Sequence, residues 1–485
     1  MKKQLISAVA LMLTASVSEA KVRLPHLIGD NMVIQQQSDV RLWGWDKAGE
    51  TVTVRTSWSG ETATAKVGKD GKWLLTVKSP AASYTPLSIT FSDSDGSTTI
   101  NNVLSGEVWV CAGQSNMEMP VKGFGNCPVK DVNEVVLDAV NSKGVRSVKV
   151  PSVMSMRPLD DAQCEWRQCN MGTVGEFSAT GYFFARMVSR ALDIPVGLIE
   201  ANKGGSRVES WLDEDNLKKY TKEEIKDSLK MTKNFKWDFH YPLLWGNGTF
   251  HPILNYTVKG ILYYQGCSNV GDPGNQYSER LKLLVEQWRR DFKQGELPFY
   301  FVQIAPYCYG DGLDGISGAL LREQQVRASD IIPNSALVCT NDAVYPYEAQ
   351  QIHPAQKQKV GERLAFHALN KTYGIKTLIC ESPRYKDMIV QDGAAYLSFD
   401  NLADGYSRWG DIEGFEVAGE DRVFHKATAT KFWAEGNDPR NERIAVSSPE
   451  VKIPVAVRYC FKNFQIGNLG NQGGLPLFPF RTDNW

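Results

Sequence analysis

The chain lacks a surplus of either charge. Lys and Arg number 54 and Asp and Glu 55, for a formal net charge of −1. Without a basic excess it cannot neutralise a phosphate backbone, so nucleic acid is not an expected partner. Nothing in this balance points to an anionic membrane surface either. Past residue 20 there is no apolar run long enough for a transmembrane helix. Also missing are C-x-x-C pairs and histidine-rich clusters, so neither a metal site nor a cofactor is expected. The nine cysteines are scattered and odd in number, which is not a disulfide framework. Cys164 and Cys169 are close enough in sequence to bridge, while several others stand in apolar, strand-like runs and read as buried thiols. No internal repeat or low-complexity tract interrupts the chain.

What is present begins with an export signal. Lys2 and Lys3 precede an apolar run from Leu5 to Val17, and Ser18 and Ala20 place small residues where a signal peptidase reads. Residues 1–20 are therefore expected to be removed near Ala20, leaving a periplasmic or secreted protein that starts at Lys21. The first cysteine is Cys111, so no lipoprotein cysteine follows the cleavage site. The 485 residues exceed one ordinary core and imply two or three domains. Hydrophobic residues at 42% and charged residues at 22% are ordinary for a globular protein.

Three textures follow one another. Residues 21–104 read as a β domain: Thr51–Val54 alternates with period two, and Asp70-Gly71 and Asp95-Gly96 are hairpin turn signals. Residues 105–375 alternate short apolar strands with amphipathic helices. The strands are Val108–Cys111, Val196–Ile199, Gly260–Tyr264, Phe299–Val302 and Ala336–Cys339. One helical stripe is Phe184, Met187, Val188 and Ala191; another is Leu281, Leu284, Val285 and Trp288. This pattern predicts a three-layer α/β domain with a parallel sheet covered on both faces. Residues 376–485 return to β character, with Val451–Phe461 as a strand-like run. This segment is expected to pack beside the N-terminal β domain or to form its own.

In open α/β sheets, ligands bind beyond the carboxyl ends of the strands. The residues there are Gly113-Gln114-Ser115-Asn116-Met117 after the first strand, Asn202-Lys203-Gly204-Gly205-Ser206 after the second and Gln265-Gly266-Cys267-Ser268-Asn269 after the third. Gln351-Ile352-His353-Pro354 follows the last, at the start of a predicted helix. Each alone is weak. Four in this order resemble the SGNH hydrolases, and within them most closely the sialate O-acetylesterases, with related acetylxylan esterases next. The resemblance spans the whole α/β region and includes Leu297–Gln303 and Pro479–Asp483.

The resemblance implies a flavodoxin-like SGNH fold and a serine esterase. Ser115 would be the nucleophile, which needs an adjacent base, and His353 would supply it. The oxyanion would be held by the Ser115 and Gly205 backbone N–H groups and the Asn269 side-chain amide. Two positions depart from the family pattern. An aspartate is usual two residues before the histidine, where this chain has Gln351. A glutamate is frequent where this chain has Cys267. One solution is a Ser-His dyad aided by a backbone carbonyl. Another is an orienting residue drawn from Gln351, Glu348 or Asp342. Cys267 reads as a buried thiol rather than a nucleophile.

Substrate-side candidates are Gln114, Arg207, Gln265 and His251. Arg207 suits a sialic acid carboxylate, although a salt bridge to Glu209 or Asp213 is the plainer reading. The remaining histidines (His26, His240, His367 and His425) read as structural, and the 13 tryptophans as core. The expected activity is hydrolysis of O-acetyl esters on sialic acid through an acetyl-serine intermediate. One alternative is an esterase of acetylated xylan or another polysaccharide. The alternative of another class is a non-catalytic carbohydrate-binding protein on an esterase scaffold.

Overall fold

The structure is a computed structural model and describes residues 22–219, 235–271, 276–407, 410–433, 436 and 438–485. The expected signal peptide lies outside the described residues. No described helix is long and apolar enough to cross a membrane.

The pivot of the fold is one long strand, β1 (Ser97–Gly113). Its first residues alternate between exposed and buried, and from Val103 onward every residue is buried. The alternating half pairs antiparallel with Ser83–Ser92, inside the N-terminal β segment. The continuously buried half enters the centre of a parallel sheet, where both faces are covered. The other strands of that sheet are β2 (Val145–Lys149), β3 (Trp166–Gln168), β4 (Val196–Asn202), β5 (Gly260–Tyr264), β6 (Phe299–Val302) and β7 (Ser335–Val338). Their spatial order is β7-β6-β5-β1-β4-β2-β3, and all pairs are parallel except β2 with β3. The chain builds β4 on one side of β1 and then crosses to place β5 on the other. That reversal opens a crevice at the carboxyl end of β1.

Four long helices cover the sheet: α1 (Ala179–Leu192), α2 (Tyr277–Phe292), α3 (Ser317–Ile331) and α4 (Lys357–His367). Phe183, Phe184 and Val188 of α1 pack with Val360 and Leu364 of α4 on one face. Leu281, Leu284 and Trp288 of α2 and Leu321 of α3 fill the other. The N-terminal β residues Val52, Val54 and Phe91 belong to this second core. The C-terminal segment surrounds a cluster of its own, including Leu397, Val417, Ile444, Tyr459 and Leu477.

The three-layer α/β architecture and its parallel sheet are as expected. Several local expectations need correction. Asp95-Gly96 joins two strands that pair with each other, but Asp70-Gly71 does not close a hairpin. Thr62–Lys66 before it pairs with Thr51–Thr56, and Lys72–Lys78 after it pairs with Asp39–Trp45. The run Val451–Phe461 forms a strand only over Ala456–Tyr459. Cys164 and Cys169 are separate thiols, because the chain between them crosses the sheet edge and each joins the core on a different face.

Candidate active site

The serine follows the end of a strand, and the histidine stands in the loop between β7 and α4. β1 ends at Gly113, where φ is +136° and a Cβ would fall 2.3 Å from the Tyr264 carbonyl of β5. Only glycine tolerates that approach and that backbone angle. The chain then turns, and a short helix, Ser115–Glu118, starts at Ser115. As a first-turn residue, Ser115 has a backbone N–H that the helix itself does not use.

Ser115 Oγ lies 2.7 Å from His353 Nε2, within reach for proton transfer. With Nε2 accepting from the serine, the imidazole proton is on Nδ1. That nitrogen meets the Cys127 sulfur at 3.8 Å, while the Cys127 thiol faces Asn126 Oδ1 at 3.4 Å. The Phe124 ring stands edge-on to the imidazole, 5.2 Å between centroids. His353 sits in the loop before α4 rather than at a helix start, since the helix begins only at Lys357.

None of the three expected orienting residues bonds the imidazole. Gln351 Oε1 accepts from the His353 backbone N–H (3.2 Å), and its amide donates to the Asn126 carbonyl. Glu348 accepts from the Tyr345 and Ala355 backbone N–H groups (2.7 and 2.8 Å). Asp342 is held by the Arg363 guanidinium fork (2.6 and 2.7 Å) and by Lys359. The physical reason is local: short loop carboxylates are claimed by the nearest backbone N–H groups and by the helix that follows.

A cation stands close to this histidine. Lys357 is fully buried, and its ammonium donates to Asn116 Oδ1 (2.7 Å) and the Pro354 carbonyl (2.8 Å). Burial lowers its pKa to about 7. Burial, and then the Lys357 charge, lowers that of His353 to about 4. The imidazole is therefore neutral, as a general base must be, across the physiological range. Burial pushes the Cys267 thiol up, which keeps it protonated and argues against a nucleophilic role.

The other blocks converge on the serine. Gly204 donates its N–H to Glu118 Oε2 (2.7 Å), and a Cβ on it would lie 3.5 Å from Ser115 Cβ. Gly205 has φ +76° and lies against the Phe239 ring, which a Cβ would meet at 2.6 Å. Asn269 is fully buried, and its Oδ1 accepts from Val208 N–H (3.1 Å) and Gln265 Nε2 (2.8 Å). Those two donors fix which way the amide points. Its Nδ2 gives one hydrogen to Glu209 (2.9 Å), a carboxylate that Arg280 also grips, and keeps the second.

Gln265 and Gln114 are structural in this arrangement. Gln265 is buried and also donates to the Ser206 carbonyl, and Gln114 Oε1 accepts from Gly266 N–H at 2.9 Å. His251 lies apart: its ring faces the Leu159 carbonyl at 2.8 Å, and it lines a cavity of about 370 Å³ whose wall carries none of the catalytic candidates. Arg207 follows two residues after Gly205. Glu209 pairs with Arg280, and Asp213 with Arg290. Sequence reasoning missed Cys127, Lys357, Glu209 and the aromatic pair Trp237–Phe239, stacked at 5.7 Å beside Gly205. No motif marks any of them. Only the closeness in sequence of Lys357 to His353 offered a signal.

A neutral base within hydrogen-bond distance of a serine hydroxyl is the equipment of acyl transfer. The class so defined is a carboxylic ester hydrolase on an α/β scaffold. Residues 105–370 match the carbohydrate esterase family of sialic acid-specific acetylesterases, and the chain belongs to that family. It is 26% identical to the mouse (Mus musculus) sialate O-acetylesterase over 81% of this chain and 82% of that one. With the human (Homo sapiens) sialate O-acetylesterase it shares 27% identity over 74% of this chain and 73% of that one. A crystal structure of a carbohydrate acetylesterase from Xanthomonas citri aligns with a TM-score of 0.83 and 32% identity, over 96% of this chain and all of that one. The protein is an acetylesterase of carbohydrates.

Proposed function

We propose that the chain is an exported enzyme that removes O-acetyl groups from sialic acid through an acetyl-serine intermediate. The observation that carries this reading is the 2.7 Å contact between Ser115 Oγ and His353 Nε2 at the crevice of the sheet. Ser115 Oγ attacks the acetyl carbonyl, and its proton passes to His353 Nε2. The carbonyl oxygen, now an oxyanion, is met by the Ser115 and Gly205 N–H groups and the second Asn269 amide hydrogen. The intermediate collapses, the C–O bond to the sugar breaks, and the imidazolium returns its proton to the leaving sugar oxygen. Water then attacks the acetyl-serine with His353 again as base, and acetate leaves. In this reading Arg207 recognises the sialic acid carboxylate, since a guanidinium fork matches carboxylate geometry. Export rests on the sequence of residues 1–20.

The test is acetate release from 9-O-acetylated sialic acid and from acetylated xylan, with Ser115→Ala as control. Release from the sialic acid that disappears in the variant supports the full reading. Release from xylan alone keeps the chemistry and moves the substrate. A folded protein that releases acetate from neither overturns the proposal in favour of a carbohydrate-binding role.

A further inference from the structure

At the far end of α4 from Lys357 lies a second cluster of reactive side chains. His367, Cys380 and Glu381 each place one potential ligand atom within 4.8 Å of the others. His367 closes α4, where the helix passes into a π turn, Ala368–Thr372. Cys380 and Glu381 belong to the segment that leads out of the α/β layer into the strand Arg384–Gln391. The imidazole is 1% exposed. Its Nε2 faces the Leu337 carbonyl of β7 at 3.3 Å. A carbonyl can only accept, so Nε2 carries the proton and Nδ1 presents a lone pair. Nδ1 is buried and has no hydrogen-bond partner among the described residues. One ring N–H tied to a backbone carbonyl, with the other nitrogen held out, is how metal-binding histidines are oriented. Cys380 is 8% exposed. The Glu381 carboxylate spends one oxygen on Lys371 Nζ, 2.6 Å away, and keeps the other.

We propose that His367 Nδ1, Cys380 Sγ and the Glu381 carboxylate bind a divalent transition metal of the zinc type, which fastens α4 to the entry of the C-terminal β segment. A nitrogen, a sulfur and an oxygen donor form a mixed set that zinc accepts. A tetrahedral site with bonds of about 2.0–2.3 Å holds its donors roughly 3.3–3.7 Å apart, so the cluster needs only a small contraction. A thiolate and a carboxylate together balance the two charges of the ion. Loading exchanges a proton for the metal, Cys–SH + M²⁺ giving Cys–S–M⁺ + H⁺, so binding strengthens as pH rises. The charged groups facing the cluster are Lys371, Lys376 and Arg384. Lys371 competes for Glu381 directly. The eleven residues of α4 set the cluster about 15 Å from Lys357. The proposal therefore does not depend on the esterase reading, and its readouts are binding and stability.

The test uses the whole chain, stripped with a chelator and titrated with Co²⁺ and then Zn²⁺. Co²⁺ is expected to raise a thiolate-to-metal charge-transfer band that Cys380→Ser abolishes. Zn²⁺ is expected to raise the melting temperature of the unsubstituted chain and not that of Cys380→Ser. Glu381→Gln should weaken Zn²⁺ binding by more than about tenfold, the loss seen even for outer-shell partners, and Lys371→Ala should strengthen it. No band in the unsubstituted chain, or an equal band in Cys380→Ser, overturns the proposal. Should Cys380→Ser fail to fold, alkylation of Cys380 in the unsubstituted chain decides by mass spectrometry. Protection by Zn²⁺ supports the site, and equal labelling with and without Zn²⁺ overturns it.

Discussion

The two sides of the proposed catalytic pair are built on different principles. On the oxyanion side, Asn269 is held through Gln265, Val208 and Glu209, and Arg280 in turn grips Glu209. Its Oδ1 has two donors and its Nδ2 one acceptor, so the orientation of the amide is fixed by the fold. On the far side of His353 there is no such network. The imidazole Nδ1 meets a neutral thiol at 3.8 Å, and the nearest buried charge is a lysine of the same sign as the imidazolium. One side is preorganised for the charge that develops. The other holds its histidine by packing and by a backbone hydrogen bond, and among the described residues no counter-ion touches the imidazole. Chymotrypsin-type proteases lose about ten-thousand-fold when their triad acid becomes an amide. The contrast identifies the base side as the weaker half of this site.

Substitutions at four residues break or sharpen that contrast. The largest effect is expected from Asn269→Ala, which removes a fixed donor and should lower kcat by about 10²–10³-fold with KM little changed. Steady-state kinetics on an acetylated sugar checks it, and a small loss would show that the two backbone donors suffice. Next is Cys127→Asp. A carboxylate oxygen reaches farther from Cβ than a thiol sulfur does, so it enters the 3.8 Å gap and compensates the imidazolium. We expect kcat to rise by about tenfold or more, whereas Cys127→Ala should lower it. A rise in neither kcat nor the acid-limb pKa would show that the base side does not limit the rate.

The pH profile follows with a smaller effect. His353 must be neutral to act as base, and its pKa is lowered to about 4, so activity falls only as pH drops through that value. Lys357 has a pKa lowered to about 7. Above it the lysine is neutral and no longer opposes the imidazolium, so kcat should climb a few fold between pH 6 and 8, an interaction on the order of 1 kcal/mol. Lys357→Met should erase this second rise and leave the first, which a pH-rate series reads directly. The smallest effect is expected from Trp237→Ala. Trp237 is 48% exposed and stacks on Phe239 beside Gly205, where a sugar ring can lie against it. Its loss should raise KM by about three- to tenfold and leave kcat nearly unchanged, and an altered kcat would place the indole in the chemistry instead.

Much of this was legible in the chain. The alternation of short apolar strands with striped helices specified the parallel sheet, because side chains buried on both faces are mostly apolar, as they are from Val108 to Ala112. Ser115, Gly205 and Asn269 stood just beyond strand ends and His353 in a motif farther along the last loop, and the structure brings the four blocks to one edge. The partners of these residues were not legible. Gln351 sits in the expected sequence position for an orienting acid, yet it bonds the His353 backbone rather than the ring. Cys127 lies 226 positions from His353 and reaches it only because the loop after the nucleophile helix folds back. Distance in sequence carries no information about such a contact.

By itself, the sequence determined the three-layer α/β class, the family, and the order of the motifs that follow the strands. These depend on local periodicity and on turns where a particular residue type is required. Only the tertiary structure decided what surrounds the histidine: a thiol where an acid was expected, and a lysine driven toward neutrality by burial. Hydrogen-bond partners and desolvation are properties of a packed interior, set by which distant segments share it, and no local pattern encodes them.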